Sequence, residues 1–400
     1  MKILFLCSAL TYGGTFVRCQ ELAKELGRRG HAVTVVKISE RSRVRTEMRE
    51  INGIRVLEMP RFWGMRWFGN DRLPSDILAR MGHLLTNRYD VIHLFSHHLS
   101  GYLPWRAAKT FKRASLFVND WDDLWTDGGW FGDLENPGVP RLRYRMEAWL
   151  EKHARLDAGG VTAISRALLD RTVSLGIPKE RTLYLPAGAD VENITLVPQD
   201  EARRALGLDL QGIMLVYSGF TVPDRDLTTM LTALSIVRQR LPVKLLLSGL
   251  ASGIVEAKRK DLGLAEDAIV HLGFVPMPGF ARFLAAGDIA LLPLSDSKTN
   301  RFRFPNKFGD YLAAGRPIVA SAVGEVGHFM KSYPVGLLAD GSPEDFAEKI
   351  MVLAKDASLR RQCSRAARGV AENVLSWRIH SANLEAFYSK LQASDRGRAQ

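Results

Sequence analysis

Between Arg301 and Arg316 the chain carries four cations, Arg301, Arg303, Lys307 and Arg316, around a helical pattern that starts at Asn306. A helix N-terminus already carries partial positive charge. Further cations there imply a bound anion, with phosphate the first candidate. Pro305 suits the first turn of such a helix, which puts Asn306 and Lys307 near its positive end. Asp310 follows Lys307 by three positions and shares its face. A cation for phosphate and a carboxylate for sugar hydroxyls together make a nucleotide site; a plain surface ion pair between Lys307 and Asp310 is the alternative.

Other stretches could do related chemistry. Gly13, Gly14 and Thr15 precede an amphipathic helix, and adjacent glycines let a ligand approach backbone N–H groups. The run does not read G-x-G-x-x-G, which argues against a nicotinamide dinucleotide. Gly219 ends a strand-like run and Arg225 stands just before a helix, where a guanidinium can grip phosphate in two-point fashion; pairing with Asp224 or Asp226 is the alternative. Phe274 and Val275 lie on a loop where a ring could cover a flat base. The stretch from Asn119 to Asp127 sets Asp120, Asp122, Asp123 and Asp127 among Trp121 and Trp125, with Trp130 close behind. Carboxylates bond sugar hydroxyls, and aromatic faces stack on sugars. His97 and His98 follow an earlier strand and could reach the same place, or serve structure alone. Arg61 to Arg72 interleaves aromatic and basic residues, the composition of a lid or of a loop that meets anionic lipid.

These residues need elements to hold them. Apolar runs predict strands at Lys2–Cys7, Ala32–Ile38, Ile54–Glu58, Val91–Phe95, Ser115–Val118, Gly160–Ile164 and Thr182–Leu185, with helical patterns between several of them. The pattern weakens from Gly188 to Gln211, a linker holding one short helix candidate, Asp200–Leu206. Strands then recur at Ile213–Ser218, Val243–Ser248, Ala268–Leu272, Ile289–Pro293 and Ile318–Ser321. Helices are predicted at Leu227–Arg238, Asn306–Ala314, Glu344–Lys355 and Leu359–Glu372. Alternation of this kind means an open, mostly parallel α/β sheet wrapped by helices, twice over. Trp377–Gln392 is a last helix, and the tail DRGRAQ reads as disordered. Domains are expected at 1–195 and 196–375, with 376–400 a helix that finishes the second or reaches back to the first.

The 400 residues exceed one ordinary core, and 46% hydrophobic content excludes a disordered chain. The net charge of +12 points to an anionic partner. Cys7, Cys19 and Cys363 are scattered and odd in number, as in a reduced cytoplasmic protein without a cysteine metal site. MKILFLCSAL is read as a first strand, not a leader, and no apolar run is long enough to span a bilayer.

The chain resembles the retaining GT-B glycosyltransferases of family 4, also called glycosyltransferase group 1, over nearly its whole length. The resemblance is carried by GGTFVRCQELAKELGRRGHAVTVV, TAISRALLDRTVSLGI, LPAGAD, PNKFGDYLAAGRPIVAS, which is the most specific, and SWRIHSANLEAFYSKL. It implies two facing Rossmann-like domains with a C-terminal helix crossing back to the first. It implies transfer of a sugar from a nucleotide-diphosphate-sugar donor to an acceptor hydroxyl with retention, in polysaccharide or glycolipid assembly. The expected enzyme is a metal-independent hexosyltransferase without cofactor. Its partners are a glycan or lipid-linked acceptor and peripherally an anionic membrane, without nucleic acid, and its place is the cytoplasm at the inner membrane face.

By position, the family's basic residue after the strand-end glycine falls on Arg225. The second glutamate of its pair falls on Asp310 and the first on Phe302. An arginine often follows the strand-end glycine directly, where this chain has Phe220. A histidine usual before the first-domain aspartate is Asn119 here, followed by Asp120. The implied catalytic set is Arg225, Lys307 and Asp120. The donor-binding set is Gly13, Gly14, Thr15, Gly219, Phe274, Val275, Arg303, Asn306 and Asp310, and candidates for the acceptor or sugar are Asp122, His97, Trp121 and Glu325. Breaking the C1–O bond builds charge on the leaving diphosphate, which Arg225, Lys307 and helix-start N–H groups would stabilise. The acceptor would approach in the interdomain cleft near Gly13, Gly14 and Asp120. A nucleotide-sugar epimerase on the same fold, a degenerate non-catalytic binder of GT-B fold and a nucleic-acid binder are the rival readings.

Overall fold

The computed structural model describes residues 1–8, 13–40, 44–61, 74–133, 140–219 and 224–398. Most of the aromatic and basic loop after Arg61, and Phe220, lie outside them. The chain divides into two compact units, Met1–Pro186 together with Trp377–Gln400, and Ala187–Ser376.

The first unit runs β1 Lys2–Cys7, α1 Gly14–Arg28, β2 Ala32–Ile38, β3 Glu47–Ile51, β4 Ile54–Met59, α2 Pro74–Thr86, β5 Tyr89–Phe95 and α3 Leu99–Thr110. It continues with β6 Ala114–Trp121, α4 Trp130–Asp133, α5 Arg141–Leu156, β7 Gly160–Ala163, α6 Arg166–Ser174 and β8 Thr182–Tyr184. The strands form one eight-stranded sheet in the order β3-β4-β2-β1-β5-β6-β7-β8. Every pair is parallel except β3 with β4. β1 lies at the centre because KILFLC is apolar on both faces, as a doubly covered parallel strand must be. Ile3, Phe5 and Cys7 join a core with α1, while Leu4 and Leu6 point the other way, toward Leu84, Tyr102 and Trp105. Each such buried side chain contributes about 1.5–3 kcal/mol.

The second unit runs α7 Gln199–Ala205, β9 Ile213–Ser218, α8 Asp224–Arg238, β10 Val243–Ser248, α9 Ser252–Asp261, β11 Ile269–His271 and α10 Gly279–Ala286. There follow β12 Ile289–Leu292, α11 Lys298–Phe302, α12 Asn306–Ala313, β13 Ile318–Ser321, α13 Gly324–Ser332, β14 Gly336–Ala339, α14 Pro343–Lys355 and α15 Ala357–Asn373. Its sheet is all parallel, in the order β11-β10-β9-β12-β13-β14. The last helix, α16 Trp377–Arg398, belongs to the first unit, where Trp377, Leu384, Phe387, Tyr388 and Leu391 complete the core around β1.

Three expectations need correction. The tail does not fray at Asp395, because α16 keeps its helical backbone to Arg398. The stretch expected as a linker is packed structure: Arg203 of α7 is 3% exposed and donates to Asp288 at 2.6 Å, and Gln199 also bonds Asp288. Two strands, β3 and β14, add to those expected.

Among the parallel strands of each sheet the chain order reverses once, between β1 and β5 and between β9 and β12. Crevices at the carboxyl ends of strands flanking such a reversal are where open α/β sheets hold ligands.

Candidate functional site

In the second unit the reversal lies where Gly219 follows β9 and Ser295 follows β12. The three strand ends here are stitched by backbone bonds, Gly219 N–H to Ser248 C=O at 3.0 Å and Gly249 N–H to Gly273 C=O at 2.8 Å. Gly249 has φ +93°, and a Cβ there would stand 2.7 Å from the Gly219 carbonyl, so only glycine lets the loops lie this close. The stitching brings the loop bearing Phe274 and Val275 beside Gly219, with Phe274 exposed. Asp226, in the first turn of α8, is buried and accepts from the Ser295 amide at 2.6 Å, locking the loop after β9 to the loop after β12.

Lys307 rises into this frame from the first turn of α12, whose N-cap is Pro305. Its Nζ donates to Tyr217 Oη at 2.8 Å and stands 4.2 Å from that ring's centroid. Gly219 leaves room for it, since a Cβ there would be 2.7 Å from Nζ. Tyr217 is itself buried, and burial pushes its phenol far above the usual range, so it is neutral. Burial first, and repulsion from Arg303 second, pull the Lys307 ammonium down to about 7, against the attraction of Asp226 and Asp310. A cation in this condition gains from an incoming anion. Tyr311, one turn further along the same helix, holds the end of β9 by accepting from the Ser218 amide at 3.0 Å.

The four cations of the opening stretch separate by role. Arg301 is spent on Asp296 at 2.5 and 2.6 Å, on the surface. Arg316 donates to the carbonyls of Ala314, Ala285 and Gly287 and is structural. Arg303 and Lys307 remain near one another, with Asn306 and Asp310 on α12. Arg225 is exposed at the start of α8; the flanking carboxylates are engaged elsewhere, Asp224 with Lys258 at 3.1 Å and Asp226 with Ser295. Glu325, in the first turn of α13, is buried where that turn presses on the backbone of Asn300 and Arg301.

In the first unit, Gly13 is the N-cap of α1, and Thr15 donates to Asp122 at 2.5 Å. Burial and the nearby Asp120 raise the Asp122 carboxyl. Gly13, Gly14, Thr15 and Asp122 are thus brought together.

Asp120 and Trp121 are not where a sugar could meet them. Asp120 is 0% exposed: it accepts from Arg18 at 2.9 and 3.0 Å and from the Thr162 hydroxyl. Trp121 is 1% exposed, donates to Glu151 at 3.1 Å, and has the Arg155 guanidinium 4.4 Å above its ring. Both lie in a strand covered on two sides, which an aspartate run in sequence does not reveal. Asn119 is likewise interior, donating to the carbonyls of Leu94 and Ser96 at 2.9 and 3.0 Å. His97 is buried beside Glu147 and Trp125. Burial takes its imidazole down to about 4, whereas the two histidines hold Glu147 well below the carboxylate range.

Sequence reasoning missed Tyr217, Asp226 and Glu151. Tyr217 reads as strand core and Glu151 as helix surface. Asp226 was legible only as an acid beside Arg225.

Two family models match the chain. One, described as a glycosyl transferase 4-like domain, covers residues 13–188, and the other, glycosyl transferases group 1, covers residues 212–356. Among curated relatives, the D-inositol 3-phosphate glycosyltransferase of Geodermatophilus obscurus is 26% identical across 94% of this chain and 84% of its own. Among solved structures, sucrose-phosphate synthase from Thermosynechococcus elongatus superposes with a TM-score of 0.78 at 18% identity, over 98% of this chain and 100% of that one. Anabaena HepE, solved in complex with UDP and glucose, gives 0.71 at 19% identity over 97% and 99%.

Proposed function

The chain belongs to the group 1 glycosyltransferases of GT-B fold, and from this premise we propose the donor, the bond chemistry and the residue roles. The donor is a nucleoside-diphosphate sugar bound by the second unit. The C1–O bond to the diphosphate breaks, a C1–O bond to an acceptor hydroxyl forms with retention, and the acceptor proton passes to the released diphosphate. No redox partner or cofactor enters this balance.

The observation that carries the reading is Lys307, a desolvated cation held at 2.8 Å from a neutral tyrosine at the chain reversal of the sheet. Charge grows on the diphosphate as the C1–O bond stretches, and a preorganised ammonium gains most at that point. Arg225 and Arg303 add to the positive field, and the first-turn amides beside Asn306 add their dipoles. Asp310 and Glu325 supply carboxylates for ribose or sugar hydroxyls, while Phe274 and Val275 offer an apolar cover for the base. In the first unit, Gly13, Gly14, Thr15 and Asp122 serve the acceptor side. A glycan or lipid-linked acceptor at the cytoplasmic face of a membrane belongs to the same proposal and rests on the net charge of +12; no helix among the described residues is long and apolar enough to cross a bilayer.

The test is a thermal-shift series with UDP first, the ligand of the Anabaena relative, then ADP, GDP and TDP, each without and with EDTA. A ligand that binds only folded protein raises the melting temperature by mass action. One diphosphate is expected to raise it, by an increment that EDTA does not change and that Lys307→Ala abolishes. No increment with any of them, or one that survives Lys307→Ala unchanged, overturns the assignment.

A further inference from the structure

The reversal point of the first unit's sheet holds a second cluster that the transfer chemistry above does not use. His97 and His98 leave the carboxyl end of β5, and Glu147 reaches them from α5. Glu147 Oε2 lies 3.5 Å from His97 Nε2 and 3.4 Å from His98 Nδ1, and the three potential ligand atoms all fall within 4.8 Å of one another. His97 and Glu147 are 1% and 0% exposed, and His98 is 13% exposed.

Those separations are long for hydrogen bonds, which prefer about 2.7–3.2 Å. The two carboxylate–imidazole separations match the edge of a tetrahedron, since arms of about 2.0–2.1 Å, usual for zinc with imidazole and carboxylate, give edges of about 3.3–3.4 Å; the two imidazole nitrogens lie within 4.8 Å of each other and would close on the ion. His97 Nε2 has no hydrogen-bond partner although it is fully buried, and a buried nitrogen left so is costly unless something is meant to bind it. The donor set is two imidazoles and one carboxylate, which suits zinc above the oxygen-seeking cations.

The surroundings hold the ligands in place. Ser96, directly before the histidines, has φ +147°, a conformation that L-residues rarely take. The buried Asn119 amide holds its carbonyl at 3.0 Å. The Trp125 ring stands edge-on to His98, with centroids 4.7 Å apart. Glu151 is not a fourth ligand, because its oxygens serve the Trp121, Trp125 and Thr126 donors.

We propose that His97, His98 and Glu147 bind one divalent cation of the zinc type, with a fourth position open to water on the side where His98 meets solvent. All three ligands belong to the first unit, so the site shares no residue with those assigned to the donor diphosphate and does not depend on that assignment.

The full chain, stripped with chelator and dialysed, would be titrated with Zn²⁺ by calorimetry and with Co²⁺ by visible absorption. The expected result is one equivalent bound, four-coordinate cobalt bands, and a rise in melting temperature. His98→Asn and Glu147→Gln should each weaken binding at least about tenfold, while Lys307→Ala leaves it unchanged. Melting curves establish that each variant folds; if Glu147→Gln does not, the more exposed His98→Asn carries the comparison. Failure of the wild-type chain to bind a stoichiometric equivalent, or equal binding by a folded His98→Asn variant, overturns the proposal.

Discussion

In the first unit, the buried Arg18 meets both oxygens of Asp120 and donates also to the carbonyls of Leu185 and Pro186. In the second, the Lys307 ammonium meets a neutral tyrosine and is repelled by Arg303. The buried Arg80 also pairs with Asp76, at 2.7 Å, but there Arg80 Nη1 and Asp76 Oδ2 have no hydrogen-bond partner among the described residues. The first arrangement is complete without a ligand, whereas the second is short of negative charge. The contrast separates charges that hold the fold from a charge that, in the proposed function, waits for substrate. It also explains why Asp120, expected to act on the acceptor, is better understood as the partner of Arg18.

The largest effect should come from breaking the complete arrangement. Asp120→Ala leaves Arg18 buried and uncompensated, which costs about 3–5 kcal/mol, measurable by urea unfolding of the first unit's tryptophan signal. An Asp120→Ala chain with wild-type stability would return Asp120 to the list of reactive groups. Lys307→Met is expected to do the reverse: transfer falls about 10²–10³-fold, the range for losing one preorganised charge stabiliser, while the melting temperature holds or rises. A variant that loses stability instead would make Lys307 structural.

A smaller effect concerns pH. The ammonium of Lys307 is depressed from its ordinary 10.5 to about 7 in the folded chain. The unfolded chain therefore holds more protons between these values, and Lys307 burial penalises stability most below about pH 7 and progressively less above it. A bound diphosphate reverses the preference and draws a proton onto Lys307. Affinity for a nucleoside-diphosphate sugar should then weaken by about tenfold per pH unit above about 7, and Lys307→Met should flatten the profile. Calorimetry at several pH values reads both. The smallest effect is predicted for Arg301→Ala: its partner Asp296 is as exposed as itself, so neither melting temperature nor transfer should move, and a marked loss of transfer would bring Arg301 into the donor site.

The central strands were legible because burial on both faces writes an unbroken apolar run. Lys2–Cys7, Ala32–Ile38, Ile213–Ser218, Val243–Ser248 and Ile318–Ser321 have the same bounds in sequence and structure. β3 was not, because EMREI is an edge strand with three of its five residues charged. The candidate site was legible where chemistry is local, as at Lys307 and Asp310 on one helix. It was hidden where partners are distant: Tyr217 lies 90 residues from Lys307, and His98 lies 49 from Glu147. A helix such as α5, with RLRYRMEAWLEKHARL, looks like a solvated surface until the fold turns Glu147 and Glu151 inward.

The assignment of α16 to the first unit bears on how the protein is made. The second unit is one continuous segment whose two ends are tied to each other, Ala189 N–H to Leu375 C=O at 2.7 Å. The first is split, and Trp377, Leu384, Phe387, Tyr388 and Leu391 of its core emerge from the ribosome only after the whole second unit. The inserted segment can therefore finish folding during synthesis while the strands made before it still lack one wall. Chaperones and proteases would meet that unfinished β1 face for as long as translation of the second unit and α16 takes.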